Sequence, residues 1–159
     1  MASNSPLNVG FVGLSSAGWA ARALAPAIFQ EALKDKVDLV AVSTRSQESA
    51  DASAAVYSEK LGHPIKAYAG STSAVANDPA VNFVAVSITA MQHKNAVLPV
   101  IEAGKPFFVE WPAGSSSRDT AAIAEAARLN GVRSLVGLQA RASRPITKVQ
   151  PHIYLFVWF

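Results

Sequence analysis

Short apolar runs alternate along the chain with longer segments in which apolar residues recur at helical spacing. The apolar runs predict six β-strands, at residues 9–14, 37–43, 65–69, 81–88, 106–110 and 133–138. These runs are continuous rather than alternating, which is typical of strands buried on both faces of a parallel sheet. Because helical patterns separate the strands, the sequence predicts a doubly wound α/β fold around a six-stranded parallel sheet.

The segments between the strands predict helices, and proline, serine and glycine mark where they bend or end. An Ala-rich helix is expected from the first strand to about Lys34. It should kink at Pro26, because proline lacks the N–H that a helix interior requires. The other helices are expected at residues 47–61, 71–78, 92–103 and 117–130, with Ser116 as an N-cap and Gly62, Gly104 and Gly131 as stop signals.

Composition and charge exclude several classes of protein. Hydrophobic residues make up 50% of the chain and charged residues 16%, as expected for a packed globule rather than a disordered chain. The net charge is only +3, and no run of Lys and Arg interleaves with aromatic residues, so direct nucleic-acid binding is not expected. The chain has no cysteine, and its three histidines are not spaced for a shared ion, so no metal site is expected.

The sequence carries no signal for secretion or membrane insertion. The N-terminal stretch "MASNSPLN" lacks the basic and apolar regions of a signal peptide. No apolar run reaches the roughly 18 residues that a membrane span needs. We therefore expect a soluble cytoplasmic protein, or a nuclear one if it is a regulator.

A glycine pair directly follows the first predicted strand, in "VGFVGLSSAGWA". Gly13 and Gly18 fit the first and third glycines of the dinucleotide fingerprint G-x-G-x-x-G, and Ser15 replaces the middle one. Ser15 would either push the phosphates outward or bond them through its hydroxyl. The alternative phosphate loop, G-x-x-x-x-G-K-[ST], fails because Trp19 stands where it needs a lysine. Two glycines would also serve a tight turn that binds nothing.

The end of the second strand predicts which dinucleotide is preferred. A carboxylate there would bond the 2′-hydroxyl of NAD, whereas arginine would favour the 2′-phosphate of NADP. This chain has no carboxylate at that point but carries Ser43, Thr44, Arg45 and Ser46. A guanidinium beside hydroxyl groups suits a phosphate, so NADP(H) is favoured over NAD(H). The alternative is a solvent-exposed arginine with no ligand.

At this point the sequence resembles the glucose–fructose oxidoreductase / inositol dehydrogenase (Gfo/Idh/MocA) family. The segments "VGFVGLSSAGWA", "LVAVSTRS", "EAGKPFFVEWP" and "VRSLVGLQAR" carry the resemblance, which covers roughly residues 7–143. The most specific part is "EAGKPFFVEWP", which is similar to the family's "EAGKHV-x-x-EKP" pattern. Within the family, the closest similarity is to the branch that holds the galactose-pathway transcriptional repressor.

The resemblance implies a cofactor site at the matching positions. Pyrophosphate contacts would come from Gly13, Ser15, Ser16 and Gly18, and a contact to the adenosine ribose from Arg45. Ile88, Thr89 and His93 would border the cofactor, and Glu110 and Pro112 would lie near the nicotinamide ribose.

Two departures from the family pattern bear on catalysis. The "TPN" that follows the fourth strand in the family is Ile88, Thr89 and Ala90 in this chain. The lysine of "EKP" is Trp111, whose indole has no charge and offers a single N–H. Loss of a positioned cation beside a developing oxyanion costs on the order of a hundredfold in rate. Trp111 therefore favours a binding protein, or an enzyme whose acid lies elsewhere, and no catalytic residue is assigned.

His93 is the remaining candidate for acid–base chemistry. It begins a predicted helix at the expected edge of the cofactor, and histidine titrates near neutral pH. A single histidine at a helix start is more often a packing or capping residue, and both interpretations stay open.

The C-terminal residues do not fit the pattern of the rest. Residues 7–141 are interpreted as a dinucleotide-binding Rossmann domain, and residues 142–159 as an atypical tail that ends on seven apolar residues, Ile153 to Phe159. The tail is either a final strand that docks or the product of a truncated or altered frame. The substrate domain that the resemblance implies is not apparent in the sequence.

Three functions are compatible with these observations. The first is an NAD(P)-dependent oxidoreductase acting on a sugar, polyol or related carbonyl compound, with the dinucleotide as its ligand. The second is a non-catalytic, dinucleotide-sensing transcriptional regulator with a protein partner or a homo-oligomeric assembly. The third is an inactive fragment.

Overall fold

A computed structural model describes residues 6–138 and Lys148 of the chain. The predicted tail, residues 142–159, lies outside the described residues apart from Lys148, and so do residues 139–141 at the end of the predicted domain. Within the described part, no helix combines the length and the apolar character of a membrane span.

In the described part of the chain, six parallel strands form a single sheet, which confirms the predicted fold class. The order across the sheet is β3-β2-β1-β4-β5-β6, so the order in which successive strands are added reverses between β1 and β4, while all strands stay parallel. The strands are β1 Leu7–Val12, β2 Val37–Thr44, β3 Lys66–Ala69, β4 Phe83–Val86, β5 Phe107–Glu110 and β6 Ser134–Gly137.

In residues 6–138, six α-helices lie against the sheet, and serine side chains begin three of them. The hydroxyl oxygens of Ser46, Ser71 and Ser116 each accept a backbone N–H from the first turn of the helix that follows. The helices are α1 Trp19–Ala23, α2 Ala25–Ile28, α3 Gln47–Leu61, α4 Thr72–Ala76, α5 Ala90–Glu102 and α6 Ser117–Leu129.

The prediction of a single helix between the first strand and Lys34 is wrong. The chain there forms α1, then α2, then a 3₁₀ turn at Glu31–Leu33. Pro26 lies in the first turn of α2, where its missing N–H costs nothing, instead of inside a longer helix. Proline therefore breaks the helix at this point, where a kink was predicted from the sequence.

Two apolar clusters lie on the two faces of the sheet. One is centred on Val84, Val97 and Phe107 and is covered by α4, α5 and α6. The other is centred on Phe11, Leu39 and Tyr57, on the side of α1, α2 and α3. Burial on both faces explains why the strands read as continuous apolar runs, and it leaves the edge where the strands end to polar loops.

Candidate functional site

A cleft of about 820 Å³ opens at the carboxyl edge of the sheet, where the strand order reverses between β1 and β4. In doubly wound sheets this crevice is the usual place for a ligand, and the volume lies in the range of small-molecule sites. The lining is rich in hydroxyl groups and comes from the ends of β1 to β4 and from α5: Val12, Gly13, Ser15, Ser43, Thr44, Arg45, Ser46, Ser49, Gly70, Ser71, Thr72, Ser87, Ile88, Thr89, Gln92, Asn95 and Ala96.

Gly13 makes the turn out of β1 in a conformation that only glycine adopts easily. Its φ is +90°, and its N–H donates to the Ser43 carbonyl at 2.8 Å. A Cβ atom at this position would overlap the Ser87 carbonyl and lie 2.6 Å from the Ile88 Cγ2 atom. The absent side chain thus lets the loops after β1 and β4 meet at the floor of the cleft.

Ser15 is held in place by bonds on both sides. Its N–H donates to the Gly13 carbonyl at 3.1 Å, and its hydroxyl oxygen accepts the Gly18 N–H at 2.9 Å. Its carbonyl accepts the Tyr57 hydroxyl of α3 at 3.3 Å, and burial raises the pKa of that phenol. Because the Ser15 hydroxyl is used only as an acceptor in these contacts, its proton is available to a ligand in the cleft.

Gly18 is the N-cap residue of α1, and a Cβ atom added to it would lie 2.6 Å from the Ser15 hydroxyl oxygen. The Ser15 hydroxyl therefore occupies the place where a larger residue 18 would need room. This contact gives a structural reason for the pairing of Ser15 with Gly18.

The end of β2 leads directly into the N-terminus of α3, a helix of 15 residues. The Thr44 hydroxyl donates to the Ser46 carbonyl at 3.0 Å, and the Ser46 hydroxyl oxygen accepts the Ser49 N–H at 3.2 Å. Arg45 is exposed and lines the cleft beside them. A guanidinium, hydroxyl groups and the positive end of a helix dipole are thus gathered at one end of the cleft.

Two parts of the lining were not predicted from the sequence. The loop after β3 contributes Gly70, with φ +78°, followed by the α4 N-cap Ser71 and by Thr72. From α5, the lining includes Gln92 and Asn95. The available signal for the second pair was the spacing of three residues between two amide side chains of one helix, which places them on the same face.

His93 is buried between two backbone carbonyls. Its side chain belongs to α5, and only 1% of the residue is exposed. Its Nδ1 atom is 2.9 Å from the Pro112 carbonyl oxygen, and its Nε2 atom is 3.0 Å from the Ile88 carbonyl oxygen. Both ring nitrogens are therefore occupied within the protein, and the ring joins the loop after β4 to the loop after β5.

The residues at the end of β5 differ sharply in exposure. Glu110 is buried, with its carboxylate beside Gly137 of β6, where an added Cβ atom would lie 2.9 Å from the Glu110 Oε1 atom. The next residue, Trp111, is 64% exposed and is joined to Pro112 by a cis peptide bond. The position that holds lysine in the family pattern therefore presents an indole to solvent.

The structure brings five of the predicted site residues together. Those that line the cleft are Gly13, Ser15, Arg45, Ile88 and Thr89. The other predicted residues lie outside the lining: Ser16, Gly18, His93, Glu110 and Pro112. Among the described residues there is no group of three or more His, Asp or Glu side chains that could hold a metal ion.

The strand order, the glycine turn after β1 and the polar crevice at the switch point together define a dinucleotide-binding domain of the Rossmann type. Residues 7–138 match the oxidoreductase family whose domain is described as an NAD-binding Rossmann fold. The chain thus belongs to the Gfo/Idh/MocA oxidoreductase family, as its sequence segments indicated.

Two curated relatives show that this family serves different ends. The chain is 36% identical to the dehydrogenase aclE of Aspergillus oryzae over 118 residues, covering 74% of this chain and 31% of that protein. It is 30% identical to the galactose/lactose metabolism regulatory protein GAL80 of Saccharomyces cerevisiae over 157 residues, covering 91% of this chain and 34% of that protein. The chain therefore spans about a third of the length of these relatives.

Solved structures show the same division. A super-repressor mutant of Gal80p from Saccharomyces cerevisiae superimposes with a TM-score of 0.79 at 27% identity, covering 95% of this chain and 39% of that one. An NAD binding oxidoreductase from Klebsiella pneumoniae gives a TM-score of 0.77 at 26% identity, covering 94% and 39%. Fold and family are therefore common to an enzyme group and a regulator.

Proposed function

We propose that residues 7–141 form the coenzyme-binding domain of an NAD(P)-dependent oxidoreductase that acts on a sugar, polyol or related carbonyl compound, and that NADP(H) is its preferred coenzyme. The observation that carries the proposal is the meeting of the Gly13 turn and the Arg45 end in one cleft at the switch point of the sheet. A dinucleotide is long enough to need both ends, whereas a single phosphate needs only one.

The two ends of the cleft suit different parts of the coenzyme. At the Gly13 end, the absent side chain lets the loops after β1 and β4 meet at the floor of the cleft, and the free proton of the Ser15 hydroxyl can be donated to a phosphate oxygen. At the other end, Arg45 and the α3 N-terminus favour an anion. An additional phosphate on the adenosine ribose would be attracted there, which is why we favour NADP(H).

The described residues account for binding better than for acid–base catalysis. When bound, the coenzyme supplies a hydride donor or acceptor in its nicotinamide ring. A carbonyl substrate also needs a proton or a fixed positive charge at its oxygen. Trp111 offers neither, and the ring nitrogens of His93 face backbone carbonyls.

A second function, a dinucleotide-sensing regulator without turnover, is favoured by one specific observation. Trp111 replaces the lysine of the family motif, and it is exposed where a partner could contact it. The 30% identity to a protein described as a regulator is compatible with this alternative. Such a protein would bind the coenzyme, undergo no redox reaction and need a protein partner or a second copy of itself.

Coenzyme titration by intrinsic tryptophan fluorescence tests the preference. Wild-type protein should bind NADPH more tightly than NADH. Replacing Arg45 with alanine should weaken NADPH binding by about tenfold, the loss expected for one charge-assisted contact to phosphate, and should leave NADH binding nearly unchanged. The matched control is Arg133→Ala, which removes an exposed arginine that precedes β6 at the opposite edge of the sheet.

Equal affinity for the two coenzymes, or equal weakening of both by Arg45→Ala, would contradict the preference for NADP(H). Absence of binding by either would contradict the function itself. The same samples, mixed with NADPH and a panel of sugars and ketones, separate the two functions. Loss of the absorbance of reduced nicotinamide supports the oxidoreductase, and binding without any such loss supports the regulator.

A further inference from the structure

The loops after β4 and β5 carry different parts of the candidate site but are joined by one side chain. Ile88 and Thr89, after β4, line the cleft, and Trp111 and Pro112 follow β5. β4 and β5 are neighbours in the sheet, so their carboxyl ends lie side by side. His93 is in hydrogen-bonding distance of a backbone carbonyl in each loop.

Both distances are those of true hydrogen bonds, and both partners are carbonyl oxygens. The Nδ1 atom is 2.9 Å from the Pro112 oxygen and the Nε2 atom 3.0 Å from the Ile88 oxygen, within the usual range for N–H···O bonds. A carbonyl oxygen can only accept, and a neutral imidazole has only one N–H. One of the two contacts would then set a nitrogen lone pair against an oxygen lone pair, at a position with 1% exposure.

We propose that His93 is a positioning residue whose imidazole carries two N–H protons and donates one to each loop, so that the Ile88–Thr89 segment and the Trp111–Pro112 turn are held as one unit. Its effect on coenzyme binding rests on the proposed function, because only the first of these loops lines the cleft directly. The ring itself does not line the cleft, so it acts through the loops.

The elements that contain His93 or pack against it carry few charged groups near it, and Lys94 and Asp119 pair with each other. In α5 its neighbour is Lys94, whose ammonium pairs with Asp119 of α6 at 2.9 Å. Asp119 also accepts the Ser115 hydroxyl, and that bond, with the one from Lys94, holds its pKa below the ordinary value. Arg118 is the second residue of the same helix, and β5 supplies Glu110. β4 and α4, which also pack against α5, contain no ionisable residue.

The direct test is nitrogen-15 NMR of the imidazole groups in the full chain without coenzyme. At neutral pH, His93 should show two protonated ring nitrogens with slowly exchanging protons. His63, which is partly exposed and faces a carboxylate oxygen of Asp38 at 2.8 Å, provides the contrast within the same spectrum. A spectrum in which His93 has a single protonated nitrogen at neutral pH overturns the proposal.

Coenzyme binding supplies the second readout. His93→Gln offers one amide donor group and cannot serve both carbonyls in the same geometry, so NADPH binding should weaken by about tenfold, as for the loss of one charge-assisted bond. His63→Gln is the control and should keep the wild-type affinity.

A variant with the wild-type affinity would overturn the positioning role. If wild-type protein binds neither coenzyme, the proposed function fails. The imidazole spectrum alone then tests whether His93 donates a hydrogen bond to each loop. That spectrum needs no variant, so the inference can be rejected even if His93→Gln does not fold.

Discussion

At the residue scale, Gly13 combines two demands that are usually separate. Its φ of +90° strains any other residue, and the nearby Ser87 carbonyl leaves no space for a side chain. Gly62 shares a positive φ, of +76°, but nothing lies within 4 Å of an added Cβ atom. A comparison of substitutions at Gly13 and Gly62 therefore separates the free-energy cost of backbone strain from the cost of contact with neighbouring atoms.

Gly13→Ala should destabilise the protein by about 3 kcal/mol, because strain and overlap with backbone atoms add together. Gly62→Ala should cost only about 1 kcal/mol, from strain alone. Urea unfolding of the two variants measures both values. Equal losses of stability would show that the chain relaxes around Gly13 and that the close contact with Ser87 is unimportant.

The sequence predicted a cofactor loop from Gly13 and Gly18 and left two roles open for Ser15. The structure adds a bond that the sequence did not indicate, from the N–H of Gly18 to the Ser15 hydroxyl oxygen. The bond from Tyr57 to the Ser15 carbonyl spans 42 positions in the chain, and no local pattern announces it. Contacts of His93 with Ile88 and Pro112 depend in the same way on the pairing of distant strands.

At the scale of elements, Asp78 ties β3 to the segment before β4. Its carboxylate accepts the Lys66 ammonium at 2.8 Å, the Tyr68 hydroxyl at 2.9 Å and the Ala80 N–H at 2.9 Å. Burial alone would raise the pKa of Asp78, but these bonds, led by Lys66, outweigh burial and hold the pKa below its ordinary value. The Asp78 carbonyl also accepts the Lys105 ammonium.

Asp78→Asn should therefore lower stability by about 2 kcal/mol at neutral pH, as expected for the loss of buried bonds to a charge. A carboxylate with a lowered pKa contributes its full stabilisation above the unfolded value of about 4, and that contribution is lost as the pH falls through the lower, folded value. The difference in unfolding free energy between wild type and variant should shrink over that acidic range.

Glu125→Gln is the control for Asp78→Asn, because Glu125 pairs with Arg128 on the exposed face of α6 and such pairs contribute little. A stability difference for Asp78→Asn that stays constant down to low pH would contradict the assigned role.

Most elements could be predicted from sequence, and the errors have local causes. The α3 bounds agree with the prediction, because Ser46 caps one end and Gly62 closes the other with a positive φ. The predicted first strand was two residues late at each end, since the chain already turns at Gly13. The helix after it was overextended, because the sequence does not show whether proline bends a helix or begins a new one.

At the scale of the whole molecule, the alternation of strands and helices predicted the fold class but not the order of the strands. The crevice exists because β4 returns to the far side of β1. The position of β4 beside β1 depends on how the apolar faces pack. This strand order brings residues 70–72 into the same cleft as Gln92 and Asn95. These lining residues were not predicted, because their proximity comes from the topology.

A ligand that binds only the folded protein stabilises it in proportion to the logarithm of its concentration. NADPH at about a hundred times its dissociation constant should raise the unfolding free energy by about 2.7 kcal/mol. Thermal unfolding at increasing NADPH measures the effect, and Arg45→Ala should shift the curve to higher concentrations. A melting temperature that does not respond to NADPH would contradict binding in the cleft.

The bond between Tyr57 and the Ser15 carbonyl connects the two ends of the cleft mechanically through α3. Ser46, at the start of that helix, and Tyr57 are separated by about 16 Å at the usual rise per residue. Tilting α3 at its Ser46 end would displace the Ser15 loop at the other end. A fragment that binds one end of the cleft would then change the affinity of the other end. The two halves of a cleaved coenzyme should therefore bind cooperatively, with positive or negative sign.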